Sequence, residues 1–78
     1  MTLKIISPTE ILFSGDIHLV KVPGTSGSFE VLKNHAPITS VLEKGKIKVI
    51  TDKGEEKNFE INGGFIEVSK NNTSILIN

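Results

Sequence analysis

Apolar and polar residues alternate along most of the chain. In "GSFEVL", Phe29 and Val31 fall on one side of an extended strand, and Ser28 and Glu30 on the other. In "KIKVIT", Ile47 and Val49 oppose Lys46 and Lys48; in "GFIEVS", Ile66 and Val68 oppose Phe65, Glu67 and Ser69. A period of two over four to seven residues marks a half-buried strand. Nine runs are short and rich in Ile, Val, Phe and Thr, as strands are, and several of them alternate: "TLKIIS", "EILFSG", "HLVKVPG", "GSFEVL", "ITSVLE", "KIKVIT", "EKNFEI", "GFIEVS" and "TSILIN". Turn residues separate them, among them Pro8, Gly15, Pro23-Gly24, Gly45, Gly54 and Asn71-Asn72. The alternation slips at Ile17-His18, which predicts a β-bulge there. No window repeats at 3.6 residues. The pattern predicts an all-β fold, a β-sandwich or flattened barrel of about ten strands, as one domain over residues 1–78.

Composition narrows the function classes. A chain of 78 residues buries only about 60% of its unfolded surface and carries a small core. It has no cysteine, so neither a disulfide nor a thiolate metal site can form, and its two histidines are too few and too separated for a zinc site. The expected extra support is a protein partner. Nine basic residues, all lysine, balance nine acids. A nucleic-acid binder shows a basic excess and uses arginine, so no nucleic-acid partner is expected. No apolar run reaches the roughly 20 residues of a membrane span, and no signal segment opens the chain. A cytosolic domain without direct membrane insertion is expected.

Candidate chemistry is sparse. Asp16 and His18 share a face if extended, but no nucleophile–base pair or carboxylate pair stands in a motif. The glycines lack the Lys-Ser/Thr and the following helix of a phosphate loop. No cofactor, metal or catalytic residue is expected. Lys53 in "TDKGEE" stands at a hairpin tip, where lipoyl and biotinyl carrier domains present the lysine they modify; that carrier reading is the alternative. Against it, Lys53 lies well past the middle of the chain and its flanks do not mirror each other. In "NHAP", Pro37 fixes its own φ and holds Ala36 extended, so His35 sits in a defined pose at a strand entrance. Such rigid loop residues suit recognition, because little entropy is lost on binding.

The order "KIISPTEILFSG", "VPGTSGSFEVLKNHAP", "KGKIKVI" and "INGGFIEV" resembles the epsilon subunits of bacterial F-type ATP synthases, called delta in mitochondria. The resemblance covers nearly the whole chain and keeps the spacing between motifs. It implies a ten-stranded amino-terminal β-sandwich in the central stalk, without catalysis of its own. One side grips the gamma subunit and one end rests on the polar loops of the membrane c-ring. Together they carry torque between proton or sodium flow and ATP synthesis. The resemblance implies a peripheral location on the cytoplasmic face of the bacterial inner membrane. By position it places Ser7, His35, Ala36, Pro37 and Ser40 on the gamma side, and the loop Gly27 to Lys33 at the c-ring, with Gly27, Ser28, Glu30 and Lys33 as contacts. Relatives often carry an acid where this chain has Ser28; Glu30, two residues on, is expected to take over. Relatives also continue past "SILIN" with a helical hairpin that restrains ATP hydrolysis and in some species binds ATP. No such hairpin, and hence no ATP site, is expected here.

Overall fold

The run from Ile11 to Gly24 forms one strand of 14 residues, not the two that its internal Gly15 predicts. A computed structural model, which describes residues 1–78, shows eight strands: β1 (Thr2–Ile6), β2 (Ile11–Gly24), β3 (Gly27–Leu32), β4 (Ile38–Leu42), β5 (Gly45–Thr51), β6 (Glu56–Ile61), β7 (Gly64–Ser69) and β8 (Asn72–Ile77). The nine runs become eight strands, fewer than the ten or so expected, because "EILFSG" and "HLVKVPG" join in one continuous β2. Gly15 pairs with Leu3 of β1, so the ladder carries the chain through a residue that would otherwise end a strand.

Strand β2 bulges twice. Its pairing with β1 skips Leu12, since Ile5 faces Phe13 while Ile6 faces Ile11. Its pairing with β5 skips His18, since Ile17 faces Thr51 while Leu19 faces Ile50. The second bulge lies where the alternation slips in the sequence. Bulges bend and twist a strand, and here they let one strand serve two layers. The first half of β2 borders a layer ordered β4-β7-β8-β1-β2, and its second half joins a layer ordered β3-β2-β5-β6. A single residue pair, Gly24 with Leu42, ties β4 to the far end of β2. All neighbours are antiparallel except β1 and β8, which run parallel.

The two layers enclose one core of thirteen buried side chains. Leu3, Ile5, Leu42, Ile66, Val68 and Ile75 come from the first layer; Ile17, Val20, Val22, Val31, Ile47, Val49 and Ile61 come from the second. Each buried Leu, Ile or Val contributes about 1.5–3 kcal/mol, which must offset the ordering entropy of the backbone. Phe13 and Phe59 meet edge to face, with centroids 6.1 Å apart, and join β2 of the first layer to β6 of the second. Tight turns use residues that accept positive φ: Gly54 at 83° and Asn71 at 53°.

Alternation on β7 gives a direct test of the packing. Ile66 is fully buried while its neighbour Phe65 points outward. Ile66→Ala is expected to cost about 2–5 kcal/mol, close to the whole stability of so small a core. Phe65→Ser is expected to change stability by less than about 1 kcal/mol. Urea unfolding of both variants checks this.

Candidate functional site

The sandwich has two ends. At one lie the Ser7–Glu10 turn, the Thr25-Ser26 hairpin tip and the carboxyl end of β4. At the other lie the loop between β3 and β4, the Asp52–Gly54 turn and the Lys70-Asn71 turn. The residues expected at the gamma side are spread between them.

Ser7 follows β1 and builds its turn. Its Oγ–H donates to the carbonyl of Glu10 at 3.1 Å and its Oγ accepts the Glu10 N–H at 3.1 Å. Its own N–H reaches the same carbonyl at 2.8 Å. Ser40 lies on β4 opposite the buried Ile66, so it faces inward at the margin of the layer. His35 lies at the opposite end from Ser7. Its N–H donates to the Leu32 carbonyl at 3.1 Å, after Asn34 turns the chain at φ 66°. Ala36 and Pro37 beside it are exposed. Three strand steps separate β1 from β4, about 14 Å at the usual spacing. Ser7, His35 and Ser40 therefore share a layer but form no cluster.

Gly27 to Lys33 is not an end loop. Gly27 to Leu32 is strand β3, because its alternating residues find a full antiparallel partner in β2. Gly27, at φ 125°, closes the hairpin tip, whereas Lys33 begins the loop at the opposite end. A strand of this length spans about 20 Å, so one flat end cannot present both. Ser28 and Glu30 do face the same way, both exposed, with Glu30 opposite Lys21.

The clearest surface feature is a row of outward apolar residues across the first layer. Register aligns Val41 with Phe65, Phe65 with Leu76, Leu76 with Ile6 and Ile6 with Ile11. Val41 is 55% exposed, Phe65 41%, Leu76 52% and Ile11 58%; Ile6 is half-buried. The row crosses four strand spacings, about 19 Å. The parallel row one pleat away is polar: Thr39, Glu67, Ser74, Lys4 and Ser14. Apolar side chains lined up on an outward face mark an interaction surface. Sequence reasoning missed this row. A signal existed, since Phe65 stands on the side of "GFIEVS" shared with Glu67 and Ser69, but nothing in the pattern shows that four other strands align their apolar residues with it.

Lys53 is exposed at a turn whose hydrogen bonds are internal: the N–H of Gly54 reaches the Thr51 carbonyl at 2.9 Å, and the Glu55 N–H reaches Thr51 Oγ1 at 3.1 Å. Asp16 pairs with Thr2, and His18 occupies the bulge. No three His, Asp or Glu side chains gather in a way that could hold a metal ion.

Comparison with known proteins agrees with this architecture. Residues 1–78 match the family described as "ATP synthase, Delta/Epsilon chain, beta-sandwich domain". The chain is 44% identical over 75 residues to the ATP synthase epsilon chain of Chlorobaculum tepidum, covering 96% of this chain and 85% of that one. It is 47% identical over 72 residues to the epsilon chain of Maricaulis maris, of which it spans 53%. Among solved structures, the fold is similar to a chain of the Euglena gracilis mitochondrial ATP synthase (OSCP/F1/c-ring), with a TM-score of 0.88 at 20% identity, covering 96% of this chain and 48% of that one. It is also similar to a chain of the Tetrahymena thermophila mitochondrial ATP synthase central stalk and c-ring, with a TM-score of 0.81 at 19% identity, covering 99% and 62%. At those identities the likeness is one of fold.

The turn geometry separates two roles for Ser7. Ser7→Ala removes a hydroxyl that both donates and accepts within the turn, and is expected to destabilise the isolated chain by about 0.5–1.5 kcal/mol. An unchanged denaturation midpoint would show that Ser7 has no part in holding the turn.

Proposed function

Because this chain belongs to the ATP synthase delta/epsilon family, as its β-sandwich domain, we propose that it is a rotor subunit of the central stalk that binds the gamma subunit and the c-ring. The epsilon subunit is a non-catalytic component, peripheral to the membrane-bound complex. The finer reading is that the outward face of the first layer docks on gamma, while the end with the Thr25-Ser26 tip meets the polar loops of the c-ring. Torque then passes between ion flow and ATP synthesis through contacts that stay fixed as the rotor turns. The complex sits with this subunit on the cytoplasmic face of the bacterial inner membrane.

The apolar row supports the gamma contact. Val41, Phe65, Leu76, Ile6 and Ile11 leave water together when a complementary surface covers them, at about 25 cal/mol per Å². Binding energy concentrates in such central, fully desolvated side chains. Ser7 adjoins the row at Ile6; Ser40 precedes Val41 on β4 but faces inward, and His35 lies beyond the amino end of β4, at the opposite end of the sandwich from Ser7. A partner that binds only the folded sandwich also stabilises it by mass action, which matters for a core this small.

For the c-ring, Gly27 and Ser28 at the hairpin tip and Glu30 one pleat away share one region; Lys33, at the far end of β3, does not belong to it. Glu30 is exposed, opposite Lys21 in the ladder, so an ion pair with a c-ring cation is a weak, rim-type contact. Lys53 has no part in this scheme. The carrier reading requires a lipoyl or biotinyl adduct on that lysine, which a mass spectrum of the native protein detects.

Two outcomes follow. Phe65→Lys is expected to weaken gamma binding by about 2 kcal/mol or more while circular dichroism stays native. Leu32→Lys, on the second layer, is expected to leave it unchanged; equal binding by Phe65→Lys and the parent would remove gamma from this face. Glu30→Gln is expected to cost about 0.2–1 kcal/mol of c-ring affinity and to reduce its salt dependence. If affinity and salt response both stay as they were, Glu30 makes no contact there.

A further inference from the structure

We propose that the surface niche at His35 seats one carboxylate of the gamma subunit, so that gamma binding takes up a proton on the imidazole. The proposal rests on the stalk reading above and adds the chemistry of the contact and its response to pH.

The ring is held in one arrangement. His35 Nδ1 lies 2.7 Å from the carbonyl oxygen of Ala36. A peptide carbonyl can only accept, so Nδ1 carries the hydrogen and donates it. Nε2 is then the one ring nitrogen left for a partner. The backbone beneath is equally constrained: Asn34 is left-handed, the His35 N–H is bonded to Leu32, and Pro37 restricts Ala36. Little rotamer freedom remains to be lost when a partner arrives.

Two turns distant in sequence form the niche. Asn34 and His35 come from the loop between β3 and β4; Lys70 and Asn71 come from the turn between β7 and β8. Its volume of about 270 Å³ accommodates a side-chain carboxylate. Lys70 is its only fixed charge, and the two asparagine amides supply further N–H donors. The charged groups on neighbouring elements are Lys33 in the same loop and the amino terminus of Met1, next to Thr2, whose N–H donates to the Asn71 carbonyl. The carboxylates on adjacent strands, Asp16 of β2 and Glu67 of β7, do not line the niche. The site therefore offers donors and positive charge with no acid of its own.

A carboxylate entering this site meets Lys70 and Nε2. Neutral imidazole presents a lone pair there, which repels the carboxylate. Imidazolium presents an N–H, which makes a charge-assisted bond. A nearby anion favours the protonated ring, so seating the carboxylate is coupled to uptake of a proton. Linkage then makes gamma affinity rise as pH falls, by at most about tenfold per pH unit for one proton.

The affinity of the full chain for gamma, measured between about pH 8 and about pH 6, tests this. Calorimetry in buffers of different ionisation enthalpy counts the protons taken up. The parent is expected to bind more tightly at the acid end, with net proton uptake. His35→Gln is expected to lose both the slope and the uptake. Lys70→Gln is expected to bind more weakly throughout while keeping the slope. A flat profile for the parent, or an unchanged slope in a natively folded His35→Gln, overturns the proposal. If the parent does not bind gamma at any pH, the stalk reading itself falls, and this inference with it.

Discussion

Strand β2 is the constraint on which the rest of the molecule depends. Its first half is hydrogen-bonded to β1 and its second half to both β3 and β5. Because the two halves belong to different layers, the orientation of one layer over the other is set by the bend at His18 and the skipped residue at Leu12. A one-residue slip in either register would turn the inward set Ile17, Val20 and Val22 toward water. The bulges thus do more than absorb an irregular pattern. They let a short chain surround a core with one strand shared by both layers.

The first layer is apolar in patches on both faces. Its inward face supplies six of the thirteen core side chains. Its outward face carries the row centred on Phe65 and Leu76. Nothing within the chain needs that row to be apolar, and exposed apolar rows favour association. The second layer differs: its outward face carries Lys21 and Lys48 directly opposite each other, with Glu30 and Asn58 at their flanks. Only Leu32 among its residues is a strongly exposed large apolar side chain. The two faces are thus suited to different surroundings, a protein surface for one and water for the other.

The turns present polar groups at both ends of the sandwich. Asn34 and Asn71 each place the chain in the left-handed region, and each brings a neighbouring cation or imidazole into the niche at that end. Ser7 locks the turn at the other end with its hydroxyl. These residues are determined by backbone requirements first, which also fix what each turn leaves exposed.

Much of this was legible in the residues alone. Period-two alternation identified the strands, the Asp52-Lys53-Gly54 and Asn71-Asn72 turns and the bulge near His18, because side-chain direction along a strand is a local property. Motif order identified the family. The number of strands was overestimated, because Gly15 is a local break only when no partner strand carries the ladder past it. Family position makes Gly27 to Lys33 a loop, because it says nothing about the pairing of β3 with β2. The apolar row and the niche at His35 were out of reach for the same reason. Each is built from residues on strands or turns far apart in the chain, and only hydrogen-bonded register between those elements aligns them. The amino-acid sequence by itself determined which residues face in and which face out on each strand; the tertiary structure decided which outward residues stand beside one another, because adjacency across strands depends on pairing and not on sequence distance.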